Sequence, residues 1–196
     1  ARVREKGSES MIGVLGAGAF GTALAVTLAA DGREVLLWAR DLGDMPETRE
    51  NRQRLPGVIF PDTLWLTDRL EDLAAADTIL LAVPMQSLAA VLAAAPVLDG
   101  KTLVACCKGV DLTHLTGPSQ VIAQLCPKAQ VAILTGPSFA TDIARGLPTA
   151  LTLAATGPEA EALQQTLSTH TVRLYLTDDL IGAELGGALK NVIAIA

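Results

Sequence analysis

Aromatic side chains are scarce in this sequence: two Trp, one Tyr and three Phe in 196 residues. A core must therefore be filled by Ala, Leu, Val and Ile, because half of all residues are hydrophobic. Such side chains suit helices layered on a parallel sheet. Cysteine is scarce as well. Cys106, Cys107 and Cys126 are odd in number, and two are adjacent, so they make a poor disulfide framework and match no zinc pattern. His114 and His170 stand alone in sequence, and no metal site is expected. Positive charge is in deficit, with 15 Lys and Arg against 21 Asp and Glu and a formal net charge of -6. That balance argues against a nucleic-acid or anionic-membrane partner, though it leaves room for a local basic pocket. No apolar run reaches the roughly 18 residues that a membrane span needs. The first ten residues, ARVREKGSES, are polar and lack the apolar segment of a signal peptide. They read as a flexible arm, and the chain as a whole fits a reducing cytoplasm.

What is present is an alternation of short apolar runs and longer, alanine-rich segments. MIGVL (11–15), EVLLW (34–38), TLWLT (63–67), DTILLAV (77–83), TLVAC (102–106), QVAILT (130–135), TALTLAA (149–155) and VRLYL (172–176) read as strands. Helices are expected over 20–32, closed by Gly32, and over 70–76, 86–95, about 118–126 and 158–168. Residues 41–57, with Pro46, Pro56 and Gly57, read as a short helix and a loop. The pattern predicts an α/β fold with a doubly wound, mostly parallel, Rossmann-like sheet. IGAELGGALKNVIAIA (181–196) reads as the start of a long helix that stops on an apolar run without a cap. The expected organisation is an arm over 1–10, a nucleotide-binding domain over 11–180, and the start of a C-terminal helical domain over 181–196.

GVLGAGAFGTAL (13–24) carries G-x-G-x-x-G at Gly16, Gly18 and Gly21. The motif alone is weak, but here it follows a predicted strand and opens a predicted helix. Each glycine has its own reason. The first permits a tight turn, the second lets backbone approach a pyrophosphate, and the third lets helix and strand pack closely. Phosphates then meet the free N–H groups and dipole of the helix N-terminus. About 20 residues on, LLWARD places Arg40 beside Asp41. Asp41 suits the ribose 2′-hydroxyl of NAD(H), and Arg40 the 2′-phosphate of NADP(H). NADP(H) is favoured and NAD(H) stays open. Arg49, Arg52 and Arg54 of RENRQR are further candidates for phosphate, with a solvated helix face the more ordinary reading.

Four more stretches narrow the choice: AVPMQSL (82–88), CCKGV (106–110), TGPSFATDIARGLPTA (135–150) and IGAELGGALKNVIAIA (181–196). With the glycine loop, this series resembles the NAD(P)-dependent glycerol-3-phosphate dehydrogenases of bacteria, over residues 11–196. G-P-S-F-A and G-G-A-L-K-N-V-I-A-I are the specific motifs. Two departures are mild: many relatives have Trp or Tyr in place of Phe20, and Glu in place of Asp142. The resemblance implies interconversion of dihydroxyacetone phosphate and sn-glycerol 3-phosphate, supplying glycerol 3-phosphate for phospholipid synthesis. It implies that Ala19, Phe20, Arg40 and Ala140 touch the cofactor. It also implies that Lys108 lies near cofactor and substrate, that Gly136 and Ser138 line the substrate pocket, and that Lys190 is the proton acceptor or donor. A homodimer of the full-length protein stays open.

The chemistry agrees with those roles. Reducing a ketone needs a proton on the developing alkoxide, and Lys190 suits this if burial or a second cation such as Lys108 lowers its pKa. Two ammonium groups also attract a phosphorylated anion. Gly186 and Gly187 share the helix face of Lys190 and leave room for substrate or nicotinamide. Ser138 has no His–Asp pair nearby, so it reads as a binding group or a helix cap rather than a nucleophile. A non-catalytic nucleotide sensor is the competing reading, and the two lysines argue against it. A related dehydrogenase with another substrate is limited by the paired specific motifs. The 196-residue chain alone is expected to bind NADPH weakly and to turn over nothing.

Overall fold

Apolar strands and helices alternate along the chain as expected. A computed structural model describes residues 11–195, with side chains through Leu189. The arm expected over 1–10 lies outside the described residues. The order is β1 (Ile12–Leu15), α1 (Ala19–Ala30), β2 (Val35–Trp38), α2 (Met45–Thr48), β3 (Leu64–Thr67), β4 (Thr78–Leu81), α3 (Met85–Ala94) and β5 (Thr102–Ala105). Then follow α4 (Pro118–Leu125), β6 (Gln130–Thr135), α5 (Ala140–Ala144), β7 (Thr149–Ala155), α6 (Ala160–Leu167), β8 (Val172–Thr177) and α7 (Leu180–Ile195). The segment expected as a helix over 70–76 is a 3-10 helix, Leu70–Ala75.

The eight strands form one sheet in the order β3-β2-β1-β4-β5-β6-β7-β8. β1 pairs in parallel with both β2 and β4, at Val14↔Leu37 and Val14↔Leu80. The winding direction therefore reverses between β1 and β4, which opens a crevice at the carboxyl ends of these strands. Every residue of β1, β2 and β4 is buried, as expected of a parallel sheet covered on both faces. Val14, Leu37, Leu80 and Val104 pack on one face with α1 and α6. Leu15, Leu36, Leu81 and Leu103 pack on the other with α3 and α4. α1 is apolar almost all round, with nine of its twelve residues buried. α5 covers its outer side, where the Thr27 hydroxyl donates to the Ile143 carbonyl at 3.1 Å. Among the described residues no helix is long and apolar enough to cross a membrane.

One pairing departs from a uniformly parallel sheet: β7 runs antiparallel to β6, at Leu134↔Leu153, and β8, parallel to β7, shares its reversed direction. The reason lies in the connection, residues 136–148, whose one helix, α5, packs on α1. A parallel neighbour requires the chain to return along the whole strand, and six-residue β6 is about 20 Å long. Five-residue α5 spans only about 7.5 Å, so the chain re-enters the sheet from the same end.

The far end of α1 is fastened to the loop before β8. Asp31 pairs with both Arg33 and His170, and Arg33 Nε donates to the Thr166 carbonyl at 2.7 Å. Burial of Asp31 opposes its ionisation, but hydrogen bonds from His170 and Arg33 outweigh that and hold the carboxyl at about 2 against an ordinary 3.8. A lowered carboxylate pKa stabilises the fold above the unfolded-state value, and the benefit is lost as pH falls from about 4 through about 2. Asp31→Asn is expected to lower stability at pH 7 by about 1.5–3 kcal/mol, the range for charge-assisted hydrogen bonds. The gap to the parent should close as pH approaches 2. Urea unfolding across that pH range measures both, and a gap independent of pH would remove the ionised Asp31 from the account.

Candidate functional site

The crevice between β1 and β4 widens into a cleft of about 680 Å³, within the size range of cofactor pockets. Gly16–Phe20, Trp38–Met45, Asn51–Arg54 and Ala82–Pro84 line it. The three glycines that precede α1 meet different surroundings. Gly16 has φ +120, and a Cβ there would lie 2.7 Å from the Ala82 carbonyl oxygen. A Cβ at Gly21 would lie 2.0 Å from the Gly16 carbonyl oxygen. These two positions let strand, helix and the β4 end close on one another. Gly18 differs: it has φ -69 and ψ 174, which any residue adopts, and a Cβ there would meet nothing within 4 Å. The open space beside Gly18 lies on the cleft. No side chain caps α1 and no acidic residue sits in its first turn, so its leading N–H groups and positive end are left for an anion. The fit to a dinucleotide pyrophosphate is therefore good.

Asn51 holds this loop in place. It is buried, and its Nδ2 donates to the Ala17 carbonyl and the Thr22 hydroxyl, both at 2.9 Å. Sequence reasoning passed over it inside RENRQR. A polar residue followed by charges has no periodic signature, and its partners lie 34 and 29 positions away.

The cations around the cleft divide into three kinds. Arg49 is a structural peg: at φ 53 it donates to the carbonyls of Pro61 and Leu64 and lies 5.9 Å from the Phe60 ring. It is not available to a phosphate, which corrects its candidacy. Arg52 is exposed and pairs with Asp44 at 3.4 Å and Glu50 at 3.3 Å. Arg40 and Arg54 are exposed and line the cleft. Asp41, the rival reader of the ribose, accepts from the Gly43 N–H at 2.9 Å within its own turn.

The lysine loop after β5 comes to the glycine loop. Lys108 Nζ lies 5.7 Å from the centre of the Phe20 ring, within cation–π range. Gln86, in the first turn of α3, clamps the same loop: its Nε2 donates to the Val110 carbonyl at 2.8 Å, and its Oε1 accepts from the Leu112 N–H at 3.2 Å. Nothing in AVPMQSL marks this glutamine, because its partners lie 24 and 26 positions away. The neighbouring thiols are quiet. Burial pushes Cys107 up to about 12 and Cys106 higher still, so neither is a thiolate nucleophile at neutral pH.

Gly136, Ser138 and Ala140 lie together past β6, in the turn into α5. The Ser138 N–H donates to the Gly136 carbonyl at 3.1 Å, and the Ser138 hydroxyl oxygen is buried. α7 packs on β6 and β7. A Cβ at Gly187 would lie 2.7 Å from the Thr135 hydroxyl oxygen. The helix carrying Lys190 thus sits against the carboxyl end of β6. The Lys190 side chain lies outside the described residues. The structure brings Gly16, Gly18, Ala19, Phe20 and Arg40 around one cleft and adds Lys108 through Phe20. Gly21 stands behind them as packing, and Gly136, Ser138 and Ala140 form a second group at the end of β6, three strands along from β1.

Comparison with known proteins supports the same picture. The family model described as NAD-dependent glycerol-3-phosphate dehydrogenase N-terminus matches residues 11–161. The chain is 60% identical over 187 residues to glycerol-3-phosphate dehydrogenase (NAD(P)+) of Paracoccus denitrificans, covering 94% of this chain and 58% of that protein. It is 60% identical over 188 residues to the protein of the same name from Cereibacter sphaeroides, covering 95% and 58%. A crystal structure of glycerol-3-phosphate dehydrogenase from Coxiella burnetii superposes with a TM-score of 0.89 at 34% identity, covering 95% of this chain and 59% of that one. The chain thus spans somewhat under two thirds of the length of the curated relatives it matches. With its glycine-lined cleft and its lysine loop in the same order as its sequence motifs, the chain belongs to the family of NAD-dependent glycerol-3-phosphate dehydrogenases and matches their N-terminal part.

Proposed function

We propose that the chain is the dinucleotide-binding part of an enzyme that interconverts dihydroxyacetone phosphate and sn-glycerol 3-phosphate. The observation that carries this reading is the approach of Lys108 to Phe20. It sets an ammonium group beside the cofactor cleft, on the loop after β5, the strand next to the β6 that leads into the Gly136–Ser138 turn, and a small phosphorylated anion needs such a cation. A bound NAD(P)H supplies the hydride for the ketone carbon. Gly18 and the first turn of α1 hold the pyrophosphate, and Ala19, Phe20 and Ala140 bound the cofactor. Gly136 and Ser138 receive the substrate, and Lys190 exchanges the proton of its C2 oxygen.

NADP(H) is the favoured cofactor. Asp41 is turned onto the Gly43 N–H, while Arg40 and Arg54 face the cleft unencumbered by the carboxylates that hold Arg52. Residues 11–180 form the cofactor domain in this reading, and α7 begins a helical domain. Ile181, Leu185 and Leu189 support that division: they are 69%, 53% and 48% exposed along one side of α7, an apolar stripe that further helices would cover.

Substitutions in the glycine loop, at the cleft arginines and at Lys190 test the reading. Gly18→Ala should leave urea stability nearly unchanged and weaken NADPH binding by about tenfold, or roughly 1.4 kcal/mol, in calorimetric titration. Gly21→Ala should instead cost about 1–3 kcal/mol of stability through overpacking. Unchanged NADPH affinity in Gly18→Ala would displace the pyrophosphate from the loop. Arg40→Ala and Arg54→Ala should each weaken NADPH by about 10- to 100-fold and leave NADH nearly unaffected, as loss of a charged hydrogen bond to a 2′-phosphate requires. Equal losses for both cofactors would return the choice to Asp41. In the full-length protein, Lys190→Ala should lower kcat for dihydroxyacetone phosphate reduction by about 10²- to 10⁴-fold while sparing NADPH affinity. Near-normal turnover would take Lys190 out of the mechanism.

A further inference from the structure

α7 meets the sheet through small residues. Ala183 is buried in the cluster that includes Val121 and Ile122 of α4, and Gly187, one turn on, lies against Thr135 of β6. Contacts of this kind hold a helix close, but they are non-directional. A helix seated on an alanine, a glycine and the partly buried Leu180 of its first turn resists sliding and rotation only weakly. Something directional has to set its height and rotation.

Glu184 does so. It is half-buried, and its Oε1 accepts a hydrogen bond from the backbone N–H of Ser119 at 2.6 Å. Ser119 belongs to the first turn of α4, whose N-cap is Gly117 and which has no side-chain cap of its own. The carboxylate therefore caps a neighbouring helix across 65 positions of sequence, with the helix dipole favouring its charge. Gly117 makes room for it: a Cβ there would lie 2.5 Å from Glu184 Oε2 and 2.8 Å from its Cδ. The same carboxylate adds to the burial that raises the Cys107 thiol, so it also stands near the loop that carries Lys108. Three segments meet at this one group: the start of α4, the loop after β5, and α7.

We propose that Glu184 is a positioning residue that locks α7 onto the N-terminus of α4 and so sets where Lys190, six positions further along the same helix, stands relative to the ends of β5 and β6. The inference rests on the reading of α7 as the helix that carries the proton-exchanging lysine.

The test uses the full-length protein, with two variants that break the lock from opposite sides. Glu184→Ala removes the carboxylate. Gly117→Ala leaves the glutamate in place but puts a methyl group where the carboxylate sits, and the N-cap conformation there, φ -76 and ψ 167, accepts alanine. Both should lower kcat for dihydroxyacetone phosphate reduction by about 10- to 100-fold, the penalty for displacing a reacting group by about 1 Å. NADPH affinity should stay within about twofold of the parent, because the cleft is built from other elements. The double variant should be no slower than the slower single variant, because both changes break one contact. Amide hydrogen exchange over 183–189 should quicken in both. Parent-like kcat in both variants overturns the proposal. So do additive losses, and so does a fall in NADPH affinity in step with kcat. If Glu184→Ala does not fold, Gly117→Ala decides alone. A parent protein that reduces no dihydroxyacetone phosphate would overturn the functional reading, and the exchange of α7 would still judge the lock.

Discussion

The close approach of backbone to backbone at the end of β1 is the constraint on which the rest depends. Gly16 presses on Ala82 of the β4 end, and Gly21 presses on Gly16. With side chains at these positions, β1 and β4 could not lie side by side up to their carboxyl ends with α1 starting directly above them. That adjacency is the point where the sheet order reverses, so the tightest packing in the fold and the opening of the cleft have one origin. The buried α1 then transmits the constraint outward. It is covered by the sheet, by α5 through Thr27, and at its far end by the Asp31–Arg33–His170 cluster. The glycine loop is thereby mounted on a helix that cannot readily shift.

A formal charge of -6 sits on a chain whose candidate site wants cations. The structure resolves this by occupying local acids. Asp41 turns onto its own loop, Arg52 takes Asp44 and Glu50, and Glu184 turns onto a helix N-terminus. Arg40, Arg54 and Lys108 shape the field of the cleft and its neighbourhood. Net charge governs long-range behaviour, but within a Debye length, about 8–10 Å, the arrangement of individual groups decides. Groups that carry no reaction role do much of the arranging: Asn51 under the glycine loop, Gln86 under the lysine loop, Glu184 under α7. Preorganisation of this kind is what a reacting constellation needs from its surroundings.

Legibility in the sequence followed the range of the interaction. β6 and β7 begin and end where their apolar runs do, and Gly16, Gly18 and Gly21 meet the three kinds of surroundings that the motif implies. Each of these is written within a few residues. The direction of β7 was not legible, because it depends on how far five-residue α5 can carry the chain against the length of β6. Arg49 was not legible either. Its neighbours in sequence are charged and suggest a solvated face, while its actual partners are the carbonyls of Pro61 and of Leu64 at the start of β3, and the Phe60 ring.

The residues alone determined the class of fold, the place of the nucleotide loop and the roster of chemical groups, because propensity, periodicity and glycine spacing act locally along the chain. Only the tertiary structure decided which of those groups meet. It set Lys108 against Phe20, gave Arg49 and Arg52 partners of their own, bent Asp41 onto the Gly43 N–H, and seated Glu184 on α4. Those contacts join residues tens of positions apart, and their geometry exists only once the sheet has brought the strand ends to one edge.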